Sequence, residues 1–299
     1  MFFAGFDGTR ESVGFAKYNE DGFLINEKQL VPLKKNTFYE KQTSNPCLIK
    51  TNDEISCIFQ ARGADNILRF GKIITKDFSN WHLDKKPFYE IEIPNSFGKR
   101  NGCQHPHILL HKDNFFMFFI EEINEITQLC CVTSKDFAKW ENRHVIRFPD
   151  KDSNSKIYYP YVLKVNDEFF LWYSKRYLSN NVVKWKIFLT KSKNLLNWDA
   201  IDEEVFIHSK KSFLKDFFRM MSNELISGSP KYHANPCVSY AEGVFKIFCH
   251  VLISKSRLSI SEYESFDGLN WKMKNKRLGK FFRERWTKNF DADPFFYEY

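Results

Sequence analysis

The sequence predicts an all-β protein, a five-bladed β-propeller with four-stranded blades, and three observations lead to this fold. A unit of Xaa-Pro, an apolar run, a polar turn and a second apolar run recurs along the chain. A second marker, a turn ending in Trp such as KDFSNW (76–81), follows each complete unit. The two chain termini, DADPFFYEY and MFFAGFDGTR, each carry half of a unit. Self-similarity at such periods indicates solenoids, propellers or arrays, and four short strands per period is a propeller blade.

The four complete units begin at Ser44, Gln104, Tyr158 and Ala234. Their marker prolines, together with one near the C-terminus, are separated by 60, 54, 76 and 58 residues: Pro46, Pro106, Pro160, Pro236 and Pro294. Because the final unit stops where its turn should come and Met1 begins where its second run should start, pairing of the N- and C-terminal strands completes a fifth blade and closes the ring.

The elements follow in chain order. Residues 1–6 and 12–18 are expected to be the second and third strands of the split blade, and 28–33 its outer strand. That blade is completed by residues 291–299. The four continuous blades are expected at 44–94, 104–149, 158–208 and 234–278. Since the repeat fills the chain, residues 1–299 are interpreted as a single propeller domain.

One interval is longer than the others, and its extra length lies near residues 208–230. Apolar residues there, from Phe213 to Leu225, recur at helical spacing opposite lysines and an arginine, which predicts one amphipathic helical insertion. A helix packed on the rim for stability and a lid or dimer contact remain equal alternatives.

Composition restricts the class of protein further. The net charge of +8 could steer an anionic ligand or simply reflect a lysine-rich solvated face. The chain has no long basic run with interleaved aromatics, no membrane-length apolar run and no signal-peptide pattern. Its seven cysteines show no metal spacing. We therefore expect a cytoplasmic, reduced protein with no nucleic-acid or membrane partner, no cofactor and no metal.

The residues also resemble a known family. Xaa-Pro at the start of each inner strand, an aromatic second strand and the turn before Trp are similar to the five-bladed glycoside hydrolases of families 43 and 32. The closest stretches are RLSISEYESFDGLNW from Arg257 and LRFGKIITKDFSNW from Leu68. The resemblance covers the whole chain at the level of blade pattern, and it implies a carbohydrate-active enzyme.

The resemblance also implies where catalytic residues should lie. In those families one Asp before a blade's Pro is the base or nucleophile, a second Asp two blades on stabilises the transition state, and a Glu in the next blade is the general acid. Asp293 in DADPF matches the first Asp. The second position holds His105, and the third holds Tyr158 and Tyr159. The usual stabiliser and acid are absent from their places, so an atypical catalytic set is expected.

Blade geometry predicts which side chains surround the mouth of the pore, because first strands start there and second strands return to it. As catalytic candidates this gives Asp293, Glu122, His105 and Tyr159. As substrate-binding candidates it gives Asp291, Asn45, Arg62, His107, Arg176, His233, Asn235, His250 and Asp7. Of the adjacent Glu121 and Glu122, one should face the pore and the other solvent. His105 and His107 share a strand face, but no third metal ligand accompanies them.

Three functions remain open. The first is an enzyme acting on a glycosidic bond of a small or surface-polysaccharide-related sugar, with Asp293 as base or nucleophile and Glu122 or a histidine as proton donor. The second is a lyase on an acidic sugar, in which Tyr159 and His105 handle the proton and Arg62 or Arg176 neutralises the carboxylate. The third is a sugar-binding propeller without catalysis. The expected partner in each case is a carbohydrate or other sugar-containing small molecule, either neutral or anionic.

Overall fold

The fold is built entirely from β-strands in the part of the chain that the structure describes. This computed structural model describes residues 2–6, 10–18, 24–51, 54–93, 101–147, 155–179, 182–199, 203–208, 233–254, 257–275 and 290–295. The expected helical insertion near 208–230 lies, except for His208, outside the described residues. Within them no helix is long and apolar enough to cross a membrane.

The strands are numbered in chain order. The N-terminal three are β1 (Phe2–Phe6), β2 (Glu11–Tyr18) and β3 (Leu24–Gln29). Next come β4 (Gln42–Thr51), β5 (Glu54–Arg62), β6 (Ile67–Thr75) and β7 (His82–Leu83). They are followed by β8 (Asn101–His111), β9 (Asn114–Ile123), β10 (Ile126–Ser134) and β11 (Glu141–Ile146).

The second half of the chain continues the series. It contains β12 (Lys156–Val165), β13 (Glu168–Ser179), β14 (Val182–Ser192), β15 (Glu203–Glu204) and β16 (Phe206–His208). It ends with β17 (His233–Ala241), β18 (Val244–Ser254), β19 (Arg257–Ser265), β20 (Asn270–Asn275) and β21 (Phe290–Phe295).

These strands form five antiparallel four-stranded units among the described residues: β21-β1-β2-β3, β4 to β7, β8 to β11, β12 to β15 and β17 to β20. The second and third units join into one sheet through a short parallel contact of β6 with β8. Gly102 at this contact has φ 125°, and an added Cβ would lie 2.0 Å from the Leu68 carbonyl oxygen, so only glycine fits. The predicted all-β propeller of four-stranded blades is confirmed.

The two termini pair as the split repeat predicts. β1 and β21 are antiparallel neighbours, with Phe2 opposite Phe295 and Phe6 opposite Phe290. Each innermost strand contacts the innermost strand of the next unit, in the order β21, β4, β8, β12, β17 and then β21 again. The ends of these inner strands therefore lie beside one another, and residues on them that are far apart in sequence can share one site.

The Trp marker of the sequence proves to be a hydrogen-bonded turn. In the second blade Asp77 Oδ1 accepts the backbone N–H groups of Ser79 and Asn80 at 2.8 and 2.9 Å, and Trp81 Nε1 donates to the Phe78 carbonyl at 3.0 Å. The same pattern recurs in the last blade around Asp267. These backbone donors lower the pKa of Asp77 to about 2, since they favour the charged carboxylate.

Aromatic side chains fill the space between neighbouring blades. Phe2 and Phe15 of the split blade lie with ring centroids 5.0 Å apart, and both contact Trp81 from the turn of the next blade. Such pairs bury large area and add about 0.5–1.5 kcal/mol each beyond that burial. Many of the Phe side chains in the sequence thus pack between neighbouring blades. Polar residues are found instead at the pore.

Two boundaries differ from those expected. The outer strand of the split blade is Leu24–Gln29 and not 28–33, so residues 30–41 instead form an irregular connection into β4. Residues 206–208 do not belong to the fourth blade: β16 pairs in parallel with β20, the outer strand of the last blade. A three-residue strand shows no repeat pattern of its own, and only tertiary pairing identifies it.

Candidate active site

The inner strands share one irregularity, a bulge at each Xaa-Pro. The register shifts between Ser44 and Cys47 in β4, and at the equivalent places in β8, β12 and β17. The residue before each proline has a left-handed backbone: Asn45 (φ 51°), His105 (φ 56°), Tyr159 (φ 54°) and Asn235 (φ 54°). Proline provides no ladder N–H, and a bulge re-aims the side chain beside it.

This backbone conformation is costly for residues with a Cβ, about 1–2 kcal/mol each. Asn and His tolerate it better than most residues, whereas the bulkier Tyr does so less well. The neighbouring blade supports it by hydrogen bonding. The His105 N–H donates to Gln60 Oε1 at 3.2 Å, and the Asn235 N–H donates to Ser174 Oγ at 3.1 Å. Left-handed residues recurring around one axis are typical of functional sites, where surrounding structure holds the strain.

The bulges converge on one cavity at the centre of the ring. The cavity is small, about 20 Å³, and about 320 Å³ lies free of protein atoms when the space open to solvent is included. Its lining consists of Asn45, Pro46, His105, Pro106, His107, Tyr159, Pro160, Tyr161, Asn235 and Pro236. Five residues predicted from the sequence to face the pore, His107 and the four residues that precede the prolines, thus lie together around it.

β21 has the same irregularity at Asp293-Pro294. Its register to β1 shifts between the pairs Phe2–Phe295 and Ala4–Ala292, which bracket this dipeptide. Asp293 therefore occupies the fifth Xaa-Pro position of the ring. Asp291 lies opposite Gly5 in the same ladder, whereas Asp7 lies outside the described residues.

Burial keeps two histidines neutral: His107, which lines the pore, and His250, which lies beside Tyr159. His107 Nε2 lies 2.8 Å from the Val162 carbonyl oxygen of the next blade. Because a carbonyl only accepts, Nε2 carries the proton and Nδ1 remains an acceptor. Loss of hydration lowers the pKa of His107 to about 4 and that of His250 to about 3. A hydroxyl-rich ligand would thus meet hydrogen-bonding groups without full charge.

Tyr158, Tyr159 and Trp185 form an aromatic wall on one side of the pore. Tyr159 lies between His105, with ring centroids 4.0 Å apart, and Trp185, at 5.9 Å. Trp185 also contacts Tyr158 at 5.3 Å, and His250 contacts Tyr159 at 6.0 Å. Half-buried rings offer apolar faces and polar tips together.

Sequence reasoning missed Trp185 because it considered only the mouth ends of first and second strands. Trp185 lies near the start of the third strand β14, which also begins at the mouth. An aromatic residue between two lysines, KWK, was the available signal. Gln60 and Ser174 were missed too, although they occupy the same ladder position in their blades, opposite the residue two places before the proline.

The two adjacent glutamates have different surroundings. Glu122 is buried and accepts a hydrogen bond from Gln104, the neighbour of His105, so it lies directly behind the pore lining. Glu121 does not face solvent as expected. It is 5% exposed and bonded at both oxygens by Arg143, at 3.0 and 2.8 Å. An ion pair across β9 and β11 makes this burial possible.

Three other predicted binding residues lie away from this cavity. His233 bonds to the Tyr263 hydroxyl at 2.8 Å, and burial lowers its pKa to about 4. Arg176 lies opposite Lys156 at the start of β12. Arg62 ends β5 and lines a second cavity with Arg10, Leu33, Lys35, Glu40 and Lys41. No three His, Cys, Asp or Glu side chains among the described residues are grouped to hold a metal ion.

Fold and pore together define a β-propeller of the kind found in glycoside hydrolases. The chain is similar to a thermostable family-43 glycoside hydrolase, with 14% identity and TM-score 0.57 over 78% of this chain and 72% of that one. It is also similar to a glycosyl hydrolase from Bacteroides ovatus (13%, TM-score 0.58, 86% and 79%) and to an arabinanase from Bacillus subtilis (11%, TM-score 0.53, 78% and 76%).

These likenesses establish the fold, and the resemblance noted in the sequence is confirmed at that level. No family model matches the sequence, and no curated protein matches it. The chemistry must therefore be argued from this chain's own residues.

Proposed function

We propose that the protein is a carbohydrate-active enzyme that acts on a glycosidic bond of a small or surface-polysaccharide-related sugar held at the central pore. The observation that carries this proposal is the ring of Xaa-Pro bulges, which brings Asn45, His105, Tyr159 and Asn235 from four blades around one cavity. Strained, convergent polar residues in a propeller of the glycoside hydrolase type are difficult to explain by packing alone.

Asp293 is assigned as base or nucleophile because it fills the fifth Xaa-Pro position of the same ring. Cleavage also needs a proton donor for the leaving oxygen. Glu122 and His105 are the two candidates: His105 lines the pore, and Glu122 is held behind it through Gln104. The aromatic wall of Tyr158, Tyr159 and Trp185 would pack against the apolar face of a sugar ring.

The test is turnover of a panel of aryl glycosides and oligosaccharides, with products followed by NMR. Asp293→Asn should abolish turnover of any substrate found, with unchanged melting temperature. Asp113→Asn is the matched control, because Asp113 lies in the β8–β9 turn at the opposite end of its blade. Undiminished turnover in Asp293→Asn would refute the assignment.

The two candidates for the proton donor, Glu122 and His105, can be distinguished by how the turnover rate depends on the leaving group of the substrate. Removing a general acid slows substrates with poor leaving groups far more than those with good ones. If Glu122 is the donor, Glu122→Gln should lose activity mainly on oligosaccharides and keep it on nitrophenyl glycosides. If His105 is the donor, that pattern should appear in His105→Asn instead.

The lyase alternative is supported by one observation, the 4.0 Å distance between the His105 and Tyr159 ring centroids, which places an imidazole and a phenol side by side at the pore as candidate base and acid. It predicts an unsaturated product absorbing in the ultraviolet from uronate oligomers. The same assay distinguishes a binding propeller without catalysis, which would return every sugar intact. In the cytoplasm, the location expected from the sequence, short glycans or nucleotide sugars are the more accessible substrates.

A further inference from the structure

A second cavity lies at the same end of the ring as the pore opening. Its volume is about 380 Å³, and about 780 Å³ lies free of protein atoms when the space open to solvent is included. Arg10 comes just before β2, and Arg62 ends β5. Lys35, Glu40 and Lys41 come from the connection between β3 and β4. The cavity thus sits between the split blade and the second blade.

The lining is strongly basic. Arg10, Lys35, Lys41 and Arg62 supply four cations, and Glu40 is the single carboxylate among the described residues that line the cavity. Like charges gathered in one concave site repel each other, and the site's field raises the local concentration of anions. Arginine is also suited to grip a carboxylate or phosphate with two parallel hydrogen bonds.

The backbone fixes the cavity relative to the pore. The Lys41 N–H donates to the Arg62 carbonyl at 2.9 Å, and Gln42, the first residue of β4, donates from its side chain to Glu11 of the neighbouring blade. Lys41 Nζ is held by the Ala64 carbonyl at 2.8 Å and by Asn66 Oδ1 at 2.9 Å. Asn45 of the pore is three residues along the strand from Gln42, roughly 10 Å at the usual rise per residue.

We propose that this cavity binds the anionic group of an acidic sugar unit adjoining the one at the pore, a carboxylate or a phosphate. The inference rests on the proposed function, and it specifies the substrate class as an acidic glycan or a sugar phosphate. The charge is bound outside the pore, where solvent and cations stabilise it, while the neutral ring of the substrate lies against the bulges.

The test is calorimetric titration at low salt with glucuronic acid, glucose 6-phosphate and glucose. At least one anion should bind ten times more tightly than glucose, and the tighter of the two identifies the group. Arg10→Gln with Lys35→Gln, both exposed, should weaken that binding tenfold or more, and Arg62→Gln should do the same. Lys50→Gln with Lys112→Gln removes equal charge at the far end of the blades and should change it less than twofold.

Equal affinity for anions and glucose would overturn the proposal. Equal losses in the two double variants would overturn it as well, because they would show long-range attraction without a site. Asp293→Asn should bind the anions as tightly as the unmodified protein. If the unmodified protein turns over no glycoside or oligosaccharide of the panel while anions still bind, the proposed function fails alone. If Asp293→Asn abolishes turnover while anions do not bind the unmodified protein, the anion subsite fails alone.

Discussion

The pore and the basic cavity lie at one end of the same ring and are built by opposite physical means. In the pore, side chains are fixed by strained backbone and burial. The cavity lining, which includes Asn45, Tyr159 and a neutral His107, contains no lysine, arginine, aspartate or glutamate among the described residues. In the basic cavity, long cationic side chains project from a connection and from strand ends. A buried pore could hold a net charge only at high cost, whereas a solvated cavity holds it cheaply.

This difference indicates that the two sites have different roles. The pore orients a sugar ring, and the basic cavity recognises the charge of the substrate. Substitutions in the pore should therefore change turnover and stability. Those in the basic cavity should change affinity for anions and its dependence on salt, with little change in stability.

Among the changes that compare the pore with the basic cavity, His105→Asn should have the largest effect. It places at this position the residue that two other blades already have there. Asn tolerates the left-handed backbone, so the change removes the imidazole without adding strain. We expect turnover to fall about 10²–10⁴-fold, the usual contribution of a general acid or base. Steady-state kinetics measure this, with exposed His82→Asn as control and unchanged glucuronate binding as the sign that the two sites are separate.

The next effect concerns pH and His107. The pKa of His107 in the folded protein is about 4, below its ordinary value of 6.5. Between these two pH values the unfolded chain therefore binds a proton at His107 that the folded chain does not bind. Stability should thus be greatest above pH 6.5 and fall towards pH 4, with this residue accounting for about 3 kcal/mol. Urea denaturation of His107→Gln should show a shallower decline. Glucuronate binding should stay constant from pH 8 to 5.5, because no histidine is among the described residues that line the basic cavity. A parallel decline would contradict the separation of the two sites.

A smaller effect tests the strained bulge. Asn45→Ala should lower the free energy of unfolding by about 1–2 kcal/mol more than Asn45→Gly, because glycine adopts φ 51° freely and alanine does not. Both variants lose the side-chain bond to Gln60 at 3.2 Å, which therefore cancels in the comparison. Lys35→Ala in the basic cavity should change stability by less than about 0.5 kcal/mol. Equal stability of the Ala and Gly variants would argue against strain at the bulge.

The smallest effect is that of salt. Raising ionic strength shortens the screening length from about 10 Å at 0.1 M to about 3 Å at 1 M. Glucuronate binding should weaken severalfold over this range, whereas the binding of any neutral sugar at the pore should stay within twofold. Titration calorimetry at three salt concentrations measures both, and identical salt dependence would remove the distinction between the two cavities.

Much of the fold could be predicted because the same sequence pattern recurs in every blade of a propeller. The Xaa-Pro and Trp markers each correspond to a local device, a bulge and a turn held by Asp and Trp, and such devices need only nearby residues. The antiparallel pairing of the N- and C-terminal strands, β1 and β21, followed from the same repetition. The pairing of β16 could not be predicted in this way, because its three residues have no repeat pattern and are identified as a strand only by their pairing with β20.

The site could be predicted in part for a related reason. The residues before the prolines were found because the marker points directly at them. Trp185 was missed because it lies on a third strand, and Arg62 was assigned to the pore although it lines the neighbouring cavity. Which cavity a mouth residue faces depends on the packing between blades, and no single strand encodes that packing.

By itself the sequence determined the repeat, the order of strands and the set of polar residues near the mouth, since these depend on local patterns of hydrophobicity and turn chemistry. Tertiary structure alone decided which side chains share a cavity. In a regular strand, alternation fixes the face of every residue, but each bulge inserts an extra residue and resets that alternation. The direction of Asn45, His105, Tyr159 and Asn235 therefore follows from a left-handed backbone that the neighbouring blades hold in place.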